Sequence, residues 1–267
     1  MWAVFMRSDK ARLLICWILA LACAALGLIG GIALGARLVR DGQAGSLLLY
    51  GVNAGQQVFT FALPALLILQ ARPARWRRFR EKCLPLRVET VSFSLLLAVS
   101  GAVAAGILAS LWAQWLQSMT GYQGSADPLP VPRTAGEWAA SVLVIAVVPA
   151  LSEELLFRAL IQGGLCSRLP RAGLWIAAAI FAAAHMRWEA LPALLLVGAV
   201  LGKIYLRRGY WGSALVHALY NTVVLILAMR SVMLSPLTAL ICFAACILAL
   251  FGLLKEDKNG ETDSSGL

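Results

Sequence analysis

Two adjacent carboxylates inside an apolar stretch are the first candidates for chemistry. Glu153 and Glu154 are followed by Arg158, four residues after Glu154. Because residues four apart share one helix face, we predict that Glu154 and Arg158 form an ion pair that mainly supports the fold. Glu153 projects about 100° away and has no local cation. A carboxyl group in this setting is suited to take a proton from water and return it to a leaving amine.

Both histidines of the chain also lie in apolar stretches. His185 follows Phe181 by four residues, and His217 precedes Asn221 by four, so each pair shares a helix face. His217 and Asn221 can both donate hydrogen bonds, which is what stabilisation of an oxyanion requires. One intramembrane histidine is often only a hydrogen bond between helices. Two histidines together with two carboxylates favour a catalytic site, because ionisable groups are costly within a bilayer.

The composition excludes a water-soluble globular protein. The chain has 267 residues, of which 61% are hydrophobic and 13% charged, whereas soluble domains carry about a quarter charged residues. The net charge of +10 does not indicate nucleic acid as a partner, because the basic residues lie in short gaps between apolar runs. Most of the cysteines lie inside those runs, so the sequence predicts no disulfide framework.

The apolar runs predict an all-α, polytopic membrane protein with about eight transmembrane helices, since a span needs about 20 apolar residues. The predicted spans are 13–35, 47–69, 91–116, 138–161, 172–186, 190–206, 211–229 and 233–254. We divide this single membrane domain into N-terminal helices with a basic cytosolic loop (1–137), a catalytic core (138–229), a last helix (230–254) and a polar tail (255–267).

The distribution of Lys and Arg predicts that both termini are cytosolic, in a multi-pass integral membrane protein. The basic stretch 71–87 is the strongest determinant of this orientation. We favour that role over a second one, in which the same stretch binds anionic lipid at the membrane surface.

Three motifs in this order resemble one family. They are Glu-Glu-x-x-x-Arg at 153–158, Phe-x-x-x-His at 181–185 and His-x-x-x-Asn at 217–221. The chain resembles the CPBP intramembrane proteases, also called the CAAX-protease and bacteriocin-processing or Abi family, which are related to the CAAX prenyl endopeptidases. The resemblance covers about 138–229. It implies a peptide or protein substrate, with or without a lipid modification, and a bacterial inner membrane as the location.

The resemblance also implies a role for each residue. Glu153 and His185 activate a water molecule for attack on a peptide carbonyl, and His217 and Asn221 stabilise the oxyanion. Three further residues support the site: Glu154, Arg158 and Phe181. The family fold is implied to place a catalytic cavity between helices of the C-terminal core. The simple topology places His185 near the outer end of its helix, so that helix must be tilted, sunk or broken at 186–192 for the site to close.

Three alternatives stay open at this stage. A zinc protease would use Glu153, His185 and His217 as ligands with water in the fourth position, although the chain lacks the His-Glu-x-x-His motif of helical zinc proteases. We favour catalysis without a metal or other cofactor. A bacteriocin-immunity or other membrane binding protein would need no catalytic set. A transporter would distribute polar residues along a path, whereas these are concentrated in the second half of the chain.

Overall fold

The computed structural model describes residues 9–42, 47–124, 132, 134–230 and 236–254, and all its regular structure there is helical. We number the helices α1 to α8 and treat π-helical stretches as parts of the helix that contains them. Their ranges are α1 (Asp9–Ala25, Leu26–Gly30 and Gly31–Arg40), α2 (Leu47–Gln57, Val58–Ala62 and Leu63–Gln70), α3 (Pro73–Glu81), α4 (Val88–Thr120), α5 (Ala135–Ser141, Val142–Val147, Val148–Glu153, Glu154–Gln162 and Gly163–Cys166), α6 (Gly173–Ala184), α7 (Leu191–Arg230) and α8 (Pro236–Leu254).

Six helical stretches of the described chain are long and apolar enough to cross a membrane. They lie in α1, α2, α4, α5, α7 and α8, while α6 is apolar but has only 12 residues. The prediction of a helical, polytopic membrane protein is therefore confirmed. Two of the predicted spans, 190–206 and 211–229, fall within the single helical run α7.

Helix α7 reverses direction at Gly209. This residue has φ 72° and ψ −169°, which is not a helical conformation. The Ser213 hydroxyl lies 3.0 Å from the carbonyl oxygen of Leu201, twelve residues earlier. Twelve residues of uninterrupted helix would separate two residues by about 18 Å along the axis. The halves before and after Gly209 therefore fold back on each other, as the two separate spans predicted.

The end of helix α3 docks on this reversal. The amide of Tyr210 donates to the carbonyl oxygen of Lys82 at 2.7 Å, and the Lys82 ammonium donates to the carbonyl oxygen of Leu206 at 2.9 Å. Phe79 of α3 packs edge-on against the Tyr210 ring, with centroids 5.4 Å apart. The basic segment after α2 is thus attached to the turn that precedes the second half of α7.

Substitution Gly209→Ala is expected to destabilise the protein. A left-handed φ strains a residue that carries a Cβ by about 1–3 kcal/mol, and a Cβ at Gly209 would also collide with the carbonyl oxygen of Lys82. We expect a lower thermal unfolding temperature in detergent. Gly106→Ala on α4 is the control, because a Cβ there meets no heavy atom within 4 Å. Equal unfolding temperatures for the two variants would contradict the left-handed conformation and close packing of Gly209.

Helix α5 contains two π-helical stretches, Val142–Val147 and Glu154–Gln162. The second begins at Glu154 and includes Arg158, both of which are fully buried. Such stretches are rare and often occur at functional sites. The α5 ring of Phe157 contacts the α6 ring of Phe181 edge-on at 5.2 Å between centroids, within a core cluster that also contains residues of α4, α7 and α8. This cluster fixes the relative positions of the helices that carry the polar residues.

Candidate active site

Glu153 of α5 faces both histidines. Its Oε2 atom lies 3.8 Å from Nε2 of His185, at the end of α6, and 3.8 Å from Nε2 of His217, in the second half of α7. The Oε2 atom is buried and has no hydrogen-bond partner among the described residues. Separations of this size are longer than a direct hydrogen bond and suit groups that share a bridging water or substrate atom.

Glu154 holds the opposite side of His217. Its Oε1 atom accepts from Nδ1 of His217 at 3.1 Å, and its Oε2 atom accepts from the Ser213 hydroxyl at 2.5 Å. Oε2 also lies 3.4 Å from Nε of Arg158, and both side chains are 0% exposed. The predicted Glu154–Arg158 pair is therefore present as a fully buried ion pair. Adjacent carboxylates have different surroundings, because Glu154 is surrounded by donors and a cation whereas Glu153 faces two ring nitrogens.

The contacts of the Nδ1 atoms define how the histidines present their Nε2 atoms. Nδ1 of His185 lies 2.8 Å from the backbone oxygen of Phe181, and Nδ1 of His217 faces Glu154. A carbonyl and a carboxylate can only accept, so each Nδ1 carries a hydrogen. In a neutral imidazole the other nitrogen then has a lone pair. Both Nε2 atoms are thus free to interact at the position between the rings and Glu153.

Phe181 connects several members of the site. Its ring is tilted by 58° to the His185 ring, with centroids 4.5 Å apart, and lies edge-on to the His217 ring, with centroids 5.9 Å apart. The guanidinium carbon of Arg158 lies 4.7 Å from the same centroid, which is cation–π contact distance. The Phe181 ring therefore separates the arginine from the histidines and fills the space between them.

The helix that carries His185 is broken directly after it, which is one of the three arrangements (tilted, sunk or broken) that the sequence left open. Helix α6 ends at Ala184, Met186 has φ 54°, and a 3-10 turn follows at Trp188–Ala190. Twelve residues of α6 extend only about 18 Å, less than the roughly 30 Å of a bilayer's hydrocarbon core. The His185 side chain is 26% exposed against 10% for Glu153, which makes the His185 side the more open face of the cluster.

Asn221 is the predicted site residue that the structure connects least. It is half-buried on α7, one turn after His217, and its side chain makes no hydrogen bond with the other site residues within the described chain. A large apolar cavity of about 480 Å³ lies behind this face, between α4, α7 and α8. Val216 and Tyr220 help to line it, but Glu153, His185 and His217 do not.

Two polar residues of the site escape the motif analysis. Ser213 is fully buried against Glu154, and the Tyr210 hydroxyl donates at 3.0 Å to the backbone oxygen of Leu151, two residues before Glu153. A sequence signal for Ser213 exists, because it precedes His217 by four residues and so shares its helix face. Nothing in the sequence indicates the contact of Tyr210, which depends on the chain reversal at Gly209.

Substitution Ser213→Ala is expected to lower the free energy of unfolding by about 1.5–3 kcal/mol, the usual contribution of a hydrogen bond to a charged group. The comparison is Ser141→Ala, which removes a buried neutral hydrogen bond of 2.8 Å to the Tyr50 hydroxyl and should cost about 1 kcal/mol. Thermal or denaturant unfolding in detergent measures both. A smaller loss for Ser213→Ala than for Ser141→Ala would argue against a charged Glu154.

Zinc places specific demands on a set of donor atoms. A structural or catalytic zinc site needs at least three protein ligands about 2.0–2.2 Å from one point. Within the described residues, no group of three His, Cys, Asp or Glu side chains is arranged to hold a metal ion. Glu153, His185 and His217 face each other but do not form such a group here, so we derive no step through a metal.

The comparison with known families agrees with this arrangement. Residues 135–223 match the model of the family described as "Type II CAAX prenyl endopeptidase Rce1-like". We call residues 135–223 the Rce1-like segment. The Rce1-like segment contains every predicted site residue from Glu153 to Asn221 and covers about a third of the chain. No curated protein and no solved structure matches the chain.

The family match confirms the resemblance to CAAX proteases that the three motifs indicated. Together with the apolar helices it supports an integral membrane protein with proteolytic activity on a peptide or protein substrate. The Rce1-like segment nearly coincides with the predicted core at 138–229, although the division of the chain into four parts stays a prediction.

Proposed function

We propose that the chain is an intramembrane endopeptidase that hydrolyses a peptide bond with a water molecule activated by Glu153 and His185. The observation that carries the proposal is the convergence of Glu153 Oε2 with the Nε2 atoms of His185 and His217 at 3.8 Å each. The Oε2 atom of Glu153 is buried and has no hydrogen-bond partner within the described residues, and a carboxylate in such a place is a competent base.

The reaction begins when water attacks the carbonyl carbon of the scissile bond. Glu153 accepts one proton from this water, and the Nε2 lone pair of His185 accepts a hydrogen bond from its second hydrogen and so orients it. The C–N bond then breaks, and Glu153 returns its proton to the departing amine nitrogen. The carboxylate is regenerated, so no other acid or base is consumed.

We assign His217 and Asn221 to the oxyanion that forms when water adds. His217 bonds Glu154 through Nδ1–H, and its Nε2 atom faces the position next to Glu153 at which the oxyanion forms. The Asn221 amide donates from one turn further along α7. Removal of one oxyanion donor typically costs about 10²–10³ in rate.

Glu154, Arg158 and Phe181 act as supporting residues in this proposal. The Arg158 charge offsets that of Glu154, and the Phe181 ring and backbone oxygen hold Arg158 and His185 in place. We also propose that both termini are cytosolic and that the protein lies in a bacterial inner membrane, for which the basic residues between the spans are the support.

The proposed substrate is a membrane-associated protein or peptide precursor, with or without a lipid modification. The more exposed face of the cluster, at His185, is the place where a polypeptide could approach Glu153. The apolar cavity beside Val216 and Tyr220 could receive an apolar part of such a substrate.

The proposal is tested by comparing the peptide termini found in membranes that contain the protein with those in membranes that lack it. This comparison does not require a substrate to be chosen beforehand. New termini that occur only in membranes containing the protein are expected, and they name the substrates. Identical termini, with the protein present and folded, would instead favour the immunity or binding function.

A zinc-dependent reaction is the second candidate, because both histidines bond through Nδ1 and present Nε2, as metal-ligating histidines do. Metal content and activity measured on one purified sample separate the two mechanisms. We expect activity without stoichiometric zinc and little effect of a chelator. Stoichiometric zinc that is lost together with activity would reverse our assignment.

A further inference from the structure

Basic residues from two distant parts of the chain assemble into one cluster. Arg72, Arg75 and Arg78 belong to α3 and its start, whereas Arg168 lies in the turn that follows α5. The Arg75 guanidinium reaches the end of α5, since a Cβ added at Gly164 would lie 3.9 Å from its Nη2 atom. We call these four arginines the arginine cluster.

The cluster concentrates positive charge that the described chain does not neutralise. Arg72, Arg78 and Arg168 are exposed, and no member forms an ion pair with a described carboxylate, unlike Arg77, which pairs with Glu81. The pKa of Arg75 is lowered by burial and further by the charges of Arg72, Arg168 and Arg78. Like charges this close repel each other, so an external anion would stabilise them.

Apolar surface beside the cluster identifies the source of the anion. Leu169, next to Arg168, is 46% exposed, and Trp175, near the start of α6, is 54% exposed. Trp211, beside the chain reversal on which α3 docks, is 44% exposed. Tryptophans are enriched where a membrane protein meets the lipid headgroups. We therefore expect the cluster to lie at the depth of the headgroups rather than in open water.

We propose that the arginine cluster binds the phosphate of an anionic membrane phospholipid and that it does so only when α3 and the turn after α5 are brought together by folding. This role goes beyond orientation of the chain, for which basic residues need only be present in the sequence. The proposal does not depend on the peptidase activity. Arg75 also lies near the C-terminal end of α5, where a positive charge stabilises the helix. Its substitution would change that contact as well, so the test does not substitute Arg75.

The purified full-length protein in detergent is tested by native mass spectrometry with equal amounts of phosphatidylglycerol and phosphatidylcholine. We expect the wild type to bind phosphatidylglycerol in preference to phosphatidylcholine. Each arginine that is removed should weaken the binding of phosphatidylglycerol about fivefold. The variants are Arg72→Gln, Arg168→Gln and the double variant. The control is the double variant Arg37→Gln and Arg40→Gln. Both arginines are exposed at the end of α1, and the spanning helix α2 separates them from α3 along the chain. The control should leave the lipid preference unchanged.

Three results would overturn the proposal: equal binding of both lipids, an unchanged preference in the double variant, or an equal loss in the control. A parallel sample with inorganic phosphate distinguishes the sources of the anion. Weak binding of inorganic phosphate supports a lipid site, whereas full displacement of phosphatidylglycerol by it would show a site for free phosphate instead. Arg78→Gln provides a second variant, on the exposed side of α3, if the double variant unfolds.

Discussion

Glu153→Gln is expected to slow peptide cleavage by about a hundred- to ten-thousandfold, the usual contribution of a general base. The amide has nearly the same shape as the carboxyl group but cannot accept a proton from water. The stability of the Glu153→Gln protein should be unaffected or improved. The buried Oε2 atom of Glu153 has no hydrogen-bond partner within the described residues, and burial of an unpaired charge is costly. Cleavage rates and thermal unfolding of the purified variant measure both effects.

Glu81→Gln is the matched control for this experiment. Glu81 is exposed at the end of α3 and pairs only loosely with Arg77, at 3.9 Å, so the same chemical change there should alter neither rate nor stability. Wild-type activity in Glu153→Gln would exclude the proposed base. Lost activity accompanied by unfolding would make Glu153 a structural residue.

Arg158→Gln is expected to have the largest effect on stability. Glu154 and Arg158 are both 0% exposed, and removal of one partner leaves the other as an uncompensated buried charge, which costs about 3–5 kcal/mol. The substitution also removes the cation–π contact with Phe181. A marked fall in unfolding temperature and in yield should accompany the loss of activity.

The double variant Glu154→Gln with Arg158→Gln tests whether this loss arises from charge. Removal of both charges should restore part of the stability that Arg158→Gln loses. Arg37→Gln provides the comparison, because Arg37 and Asp41 have the same i,i+4 spacing but are 75% and 58% exposed, and such pairs contribute about 1 kcal/mol or less. Normal stability with lost activity in Arg158→Gln would give Arg158 a direct role in catalysis.

Helical spacing alone was sufficient to predict the local contacts of the site. The Glu154–Arg158 pair and the shared face of Phe181 and His185 follow from residues four apart within one helix. The apolar runs likewise predicted the long helices, although α4 extends to Val88 and Thr120, beyond the predicted 91–116. The end turns of α4 contain polar residues, so the apolar run stops before the helix does.

Contacts between helices could not be predicted in the same way. The Glu153–His185 and Glu154–His217 contacts join α5 to α6 and α7, and their distances depend on how the helices pack. The sequence required the helix before 186–192 to be tilted, sunk or broken without deciding among them. The left-handed Met186 at the observed break is unusual for a residue with a side chain. The contact of Ser213 with Glu154 needed the reversal at Gly209 as well as the spacing from His217.

The most direct measurement compares peptide termini in membranes that contain equal amounts of wild-type protein, Glu153→Gln or Glu81→Gln. Our account predicts one set of new termini shared by the wild type and Glu81→Gln and absent from Glu153→Gln, with all three proteins folded and inserted. The same new termini in the Glu153→Gln membranes would contradict the central claim that Glu153 activates the water that cleaves the substrate.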